Sequence, residues 1–343
     1  MTDLPGFEPA RKGFEQAKLI ELRRRSFDTP QLRGIDFIEV EARTVINHVP
    51  GDRLPFNWTI NPYRGCSHAC VYCFARATHW FLDMGAGRDF ETKILVKVNV
   101  AEVLRAQLAA RRWKGEHIAM GTNTDPYQAA EGKFRLMPGI LRALTDFRNP
   151  FSILTKGTML LRDLDHLCTA AEVTEVHTSY SIASLDERAW RLAEPGTPHP
   201  RKRIEAVAQL NRAGIPCGVL MAPILPGIND DPEMLKRTAE AAVDAGATHV
   251  YPILLHLRPR VKEVFMEWLE REFPGLVPHY EDMYRGRAYA GAADQQANSA
   301  RVNAILQAIP RPVPRESLPR WRPAGRVAGA AIPPPTEQLS LIG

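Results

Sequence analysis

The 343-residue chain has no apolar run approaching the about 18 residues that a membrane-spanning helix needs. Its first twenty residues are broken by charges and prolines, so they do not read as a secretory signal. Cysteine is scarce and odd in number: five residues, which argues against a disulfide framework in a chain of this length. These absences point away from membrane and extracellular roles and predict a cytoplasmic protein, in reducing conditions. Any excess of acidic residues is missing as well. Lys and Arg number 44 against 39 Asp and Glu, a formal net charge of +5, and the pI is about 9.0. Part of the basic excess lies at the ends, in Arg23-Arg24-Arg25 and in Arg311, Arg315, Arg320, Arg322 and Arg326. Such ends could help to hold an anionic partner such as nucleic acid, and a solvated basic surface explains them equally well. With 45% hydrophobic residues the chain can build a large core, as one α/β domain with extensions or two smaller domains.

Against that scarcity, three of the five cysteines stand within eight positions, in Asn61-Pro62-Tyr63-Arg64-Gly65-Cys66-Ser67-His68-Ala69-Cys70-Val71-Tyr72-Cys73-Phe74. The C-x3-C-x2-C spacing puts three sulfurs on one side of one loop, an arrangement suited to a corner of an iron–sulfur cube. No fourth cysteine lies nearby, so one iron would be left open, as in catalytic rather than structural metal sites. The alternative is a zinc-stabilised binding module with His68 or His79 as fourth ligand. Tetrahedral Cys3His sites, however, usually draw their ligands from two separated pairs.

Strand-like apolar runs alternate with helical stretches from about residue 43. Strands are expected at 58–61, 117–124, 151–155, 175–182, 217–224 and 249–255, with helices at 74–82, 101–113, 138–147, 159–171, 200–213 and 232–245. A short helix is expected at 14–25, another at 295–308, and the β-branched run 92–100 has no obvious place. Such alternation indicates βαβ units and a parallel sheet. Periodicity alone does not separate an incomplete barrel from a doubly wound sheet. The chain divides into three segments: an N-terminal extension (1–45), a core (46–285) and a C-terminal helix with a Pro/Arg-rich tail (286–343).

The cysteine spacing, with the aromatic Tyr72 before the last cysteine, resembles the radical S-adenosylmethionine (radical SAM) superfamily. The resemblance implies a partial (β/α)6 barrel, a 4Fe–4S cluster on Cys66, Cys70 and Cys73, and S-adenosyl-L-methionine on the open iron. It also implies an electron donor such as flavodoxin or ferredoxin, and reductive cleavage to a 5′-deoxyadenosyl radical that takes hydrogen from a substrate. Ligands of parallel α/β folds bind beyond the carboxyl ends of the strands, and each strand here ends in polar residues. Asn123 and Thr124 follow the second, where they could hold the methionyl amino group or simply form a turn. Lys156 follows the third and could pair with the methionyl carboxylate. Ser181 ends the fourth, with a hydroxyl for a ribose, and Glu194 and Arg203 beyond it could form a surface ion pair. Ala222-Pro223-Ile224 ends the fifth and offers an apolar edge to an adenine.

Together with Thr155-Lys156, Glu194-Pro195-Gly196-Thr197 and Arg203-Ile204-Glu205-Ala206, these stretches resemble the branch related to spore photoproduct lyase. What that implies is S-adenosylmethionine contacts at Thr124, Lys156 and Ser181, with Ala222-Pro223-Ile224 beside the adenine. The match departs from the lyase at two points. Thr122 stands near the position of its hydrogen-returning cysteine, and Phe74 stands where a tyrosine follows the cluster loop. Neither residue can supply a weak S–H or phenolic hydrogen, so a different substrate is expected, with nucleic-acid repair or modification as an alternative. Cys168 and Cys217 read as buried hydrophobes, and His256 could face substrate. Tyr284 to Tyr289 is aromatic and basic and could cover the barrel mouth or touch nucleic acid.

Overall fold

The structure is a computed structural model that describes residues 21–50 and 54–310. Its strands, in chain order, are β1 (Glu21–Arg25), β2 (Asp36–Val40), β3 (Ile46–His48), β4 (Trp58–Ile60), β5 (Tyr63–Arg64), β6 (Lys93–Lys97), β7 (Ile118–Met120), β8 (Phe151–Thr155), β9 (Val176–Ser181), β10 (Cys217–Ile224) and β11 (Val250–Leu254). In the larger sheet β4, β7, β8, β9, β10 and β11 run parallel and lie side by side in chain order, with β3 antiparallel on the outer edge of β4. A doubly wound sheet reverses its strand order at a switch point, and here the order never reverses. Successive right-handed crossovers then place the connecting helices on one face. Twist curls such a sheet around its other face. The result is the partial (β/α)6 barrel, and it settles the architecture that periodicity left open.

The local signals explain why the units form. Pro200 and Pro232 open the helices Pro200–Arg212 and Pro232–Asp244, where a missing N–H costs nothing. Asp231 caps the second by accepting from the backbone N–H of Glu233 (2.9 Å) and Met234 (3.2 Å). Both helices release the chain through left-handed glycines, Gly214 (φ 81°) and Gly246 (φ 75°). One expected strand is shorter than its apolar run. β7 stops at Met120 because Gly121 turns with φ 87°, and a Cβ there would lie 1.8 Å from the Leu154 carbonyl oxygen. Residues 121–124 are thereby freed to form the mouth.

A second sheet, in the order β1-β2-β6-β5, stands against the cysteine loop. The run without a place, 92–100, supplies β6. Where a helix was expected at 14–25, residues 21–25 form β1, paired antiparallel with β2, and 14–20 lie outside the described residues. Pairing with a neighbouring strand overrides a weak helical preference, as it often does at sheet edges. Arg25 pairs with Glu39 and Arg24 lies 3.8 Å from Asp36, so two of the three N-terminal arginines face carboxylates of β2.

Candidate active site at the carboxyl end of the barrel

The cysteine loop leaves β5 through Gly65, whose φ of 90° and close neighbours exclude a side chain; a Cβ would meet His79, Lys93 O and Phe90 O, each at 3.0 Å. The protein grips the loop by its main chain. Thr124 Oγ1 (2.8 Å) and Gln128 Nε2 (2.9 Å) both donate to the Gly65 carbonyl, while Gln128 Oε1 accepts from Ser67 N (2.9 Å). Gly196 N donates to the His68 carbonyl (3.0 Å) and Val71 N to that of Ala193 (3.0 Å). Arg76, fully buried, donates to the carbonyls of Cys70 (2.8 Å) and Ala69 (3.0 Å) and pairs with Glu91. Thus Thr-Asp-Pro-Tyr-Gln, distant in sequence, is the physical mate of Asn-Pro-Tyr-Arg-Gly-Cys.

Cys66 and Cys70 are buried and Cys73 is partly so. Burial pushes all three thiols up: Cys66 well above its ordinary value, helped by Asp125, and Cys70 to about 12, with Glu194 adding to the effect. Burial thus favours the protonated thiols, and a metal centre such as an iron–sulfur cluster would supply the positive charge that three neighbouring thiolates call for. Each of the two histidines weighed as a fourth zinc ligand has one ring nitrogen bonded within the protein. His68 Nδ1 lies 3.3 Å from Asp125 Oδ2 and His79 Nε2 lies 2.9 Å from the Lys93 carbonyl. Among the described residues no group of three or more His, Cys, Asp or Glu is spaced to hold a single ion. Three sulfurs without a fourth protein ligand fit a cluster with one open iron.

Beside Cys70 stands a second assembly, centred on Glu194. This carboxylate is 3% exposed, which corrects the surface ion pair expected of it. Its Oε2 accepts from Arg203 Nη2 (2.6 Å), its Oε1 lies 3.1 Å from Lys156 Nζ, and Tyr72 OH donates to it. Burial would push the Glu194 carboxyl up; Arg203 and Lys156 outweigh it and hold the group at about 2. Lys156 also donates to Ser181 Oγ (2.6 Å), and Ser181 donates on to the Ala222 carbonyl (2.8 Å). Asp125 orders the neighbouring turn, accepting from Thr155 Oγ1 (2.6 Å) and Lys156 N (2.7 Å). Burial opposes its charge, and His68 with these donors holds its carboxyl below the usual range.

Residues 60–251, more than half of the chain, match the Radical SAM superfamily. The chain belongs to that superfamily. An uncharacterized protein of Mycobacterium tuberculosis, Rv2578c, is 43% identical over 307 residues, 89% of each chain. The radical SAM Nalpha-GlyT isomerase of Pseudomonas phage M6 is 24% identical over 251 residues, 71% of this chain and 48% of that one. Among solved structures, spore photoproduct lyase complexed with dinucleoside spore photoproduct superposes with a TM-score of 0.58 at 16% identity, covering 79% of this chain and 78% of that one. The last likeness shows a shared fold, in agreement with the branch that the motifs resemble.

Within this radical SAM fold the expected residues fall into two groups. Cys66, Cys70, Cys73, Tyr72, Lys156 and Ser181 meet around the loop and the Glu194 assembly. Asn123 is exposed at the mouth, its backbone N–H bonded to Asn61 Oδ1 (3.1 Å). Thr124 and Arg203 turn to other work. Thr124 Oγ1 is spent on the cysteine loop, and Arg203, fully buried, bonds Glu194, the Ser181 carbonyl (2.8 Å) and the Pro198 carbonyl (2.9 Å). Ala222 and Pro223 stay partly exposed, while Ile224 is buried in the core, leaving only its backbone edge for a ligand. Cys217 is fully buried at the amino end of β10, with its thiol pushed up to about 12, and Cys168 is partly buried within the helix Leu164–Ala171. Sequence reasoning missed Arg76, and it marked the stretch that holds Asp125 and Gln128 without seeing that they brace the Lys156 turn and the cysteine loop. Their signal was their position beside motifs, which says little until the fold brings the motifs together.

Proposed function

We propose that this radical SAM enzyme holds a 4Fe–4S cluster on Cys66, Cys70 and Cys73, and that S-adenosyl-L-methionine occupies the open iron. When bound, the cluster supplies the electron that cleaves the sulfonium, giving a 5′-deoxyadenosyl radical that takes hydrogen from the substrate. The observation that carries the reading is the loop itself: three adjacent thiols, two of them buried, on a loop held by main-chain bonds and without a fourth protein ligand. The rest of the chain positions and excludes water. Lys156, on a partly exposed stem, offers a cation to a carboxylate, and Glu194 and Ser181 keep its ammonium oriented. Asn123 stands at the mouth for the methionyl amino group, and Ala222-Pro223 presents an apolar edge for the adenine. An acidic flavodoxin or ferredoxin is the fitting electron donor for a chain of this charge. Cys70→Ala tests the reading. Protein reconstituted anaerobically with iron and sulfide, then given dithionite and S-adenosylmethionine, is expected to form 5′-deoxyadenosine, and the variant to form none. A wild type that takes up no cluster and leaves S-adenosylmethionine intact overturns the proposal.

A second reading, action on nucleic acid, draws on the rim beside Cys73. Phe74, Trp80 and Tyr289 are 43%, 47% and 38% exposed. Arg258 lies over Phe74 (5.7 Å), Arg260 over Trp80 (3.9 Å), and Tyr289 meets His256 (4.6 Å). The 284–289 segment reaches this rim because Leu257 N bonds the Ala288 carbonyl (2.8 Å). Exposed rings interleaved with arginine suit stacked bases and phosphates. Affinity for a single-stranded oligonucleotide that falls steeply with salt supports it; affinity indifferent to both salt and Trp80→Ala removes it.

A further inference from the structure

Each of the other buried cations around the cysteine loop has a carboxylate: Arg76 has Glu91, while Lys156 and Arg203 share Glu194. Arg64 and Lys97 do not. β5 and β6 pair antiparallel with Arg64 opposite Leu95, and Lys97 N bonds the Pro62 carbonyl (3.1 Å). The alternation of strands then sends both cations out of one face, opposite Tyr63 and Val96. Among the described residues neither has an ion pair, the Arg64 side chain has no hydrogen bond, and Lys97 Nζ has a single one, to the Asn61 carbonyl (2.8 Å). Both are partly buried. Burial, and then Arg64, lower the Lys97 ammonium to about 8. Two adjacent, partly desolvated cations without an anion form an incomplete arrangement, since buried charge is ordinarily paired.

Their place gives the gap a meaning. Asn61 follows β4 at the carboxyl end of the barrel, and its Oδ1 accepts from Asn123 N (3.1 Å) and Thr122 Oγ1 (3.4 Å) beyond β7. Lys156 follows β8, on the far side of β7 from this pair. Cations thus stand on both flanks of the mouth, and the Lys156 flank suffices for a methionyl carboxylate. We propose that Arg64 and Lys97 bind a phosphoryl group carried by the molecule on which the enzyme acts. The planar fork of Arg64 matches phosphate oxygens in pairs, and Lys97 adds a point charge. The assignment of that group to a substrate rests on the radical SAM reading above; the anion site itself does not.

The test uses the reconstituted full chain in phosphate-free buffer, reading the thermal unfolding midpoint as inorganic phosphate is added. The wild type is expected to gain stability with phosphate, and Lys97→Met to need about ten- to a hundredfold more for the same gain, the loss of one charge-assisted bond. Arg64→Gln serves as a second variant should Lys97→Met fail to fold. Competition separates the sources. A mononucleotide that displaces phosphate marks a small phosphate ester, and an oligonucleotide that does so while the mononucleotide does not marks a phosphodiester. A phosphate response that is absent, or unchanged in both variants, overturns the proposal. So does a variant that loses its response to S-adenosylmethionine instead. Because the readout is unfolding, failure here is distinct from failure to form 5′-deoxyadenosine.

Discussion

The two ends of the barrel strands bury titratable groups to opposite effect. At the carboxyl end, Glu194 and Asp125 stay ionised because Arg203, Lys156, His68 and backbone donors surround them. At the amino end, His117 before β7 and His249 before β11 are both lowered to about 4, first by burial and then by His177 nearby. The same strands thus carry charge at one end and suppress it at the other. Burial alone does not mark a functional site. What marks it is burial in which the charged form has been kept by partners.

That contrast can be broken from either end. The largest effect on stability is expected from Glu194→Gln, which leaves Arg203 buried beside a neutral amide. A loss of about 3–5 kcal/mol in denaturant unfolding is expected, and a loss near zero would mean that the charges are dispensable. Gly196→Ala comes next. A Cβ there would lie 2.1 Å from the Ser67 carbonyl oxygen, so the cysteine loop must shift. A cost of about 1–3 kcal/mol with weakened uptake of iron and sulfide is expected, read from unfolding and from the visible absorbance of the cluster. The smallest effect belongs to the amino end. His117 and His249 bind protons more readily unfolded, near 6.5, than folded, near 4. Stability is therefore full above about pH 6.5 and declines as pH falls toward 4. His117→Phe should flatten that decline. Glu194 contributes its own loss only from about 4.5 down toward 2, so the two ends respond to acid in separate windows.

Much of this was legible in the sequence. The three cysteines, the β-α alternation and the glycine and proline stops needed only local rules, and six parallel strands appear close to where those rules placed them. Arg203 was named, but its role was not: a helix residue on the buried face reads as a surface ion pair until the sheet covers it. The roles of Gln128 and Arg76 were hidden for a related reason. Each acts on main-chain carbonyls of the loop, and a carbonyl leaves no mark in the sequence. β1 was misread because its pairing with β2 is not encoded within residues 21–25.

The unreversed strand order also bears on how such a protein can diversify. In the larger sheet β4, β7, β8 and β9 pair with no strand beyond β11, and the closing segment meets the cysteine loop at the rim, where Arg258 and Arg260 lie over Phe74 and Trp80. The matched family region ends at residue 251, while Arg258, Arg260 and Tyr289 come after it. Descent could therefore vary the closing rim while the sheet and the cysteine loop are inherited unchanged.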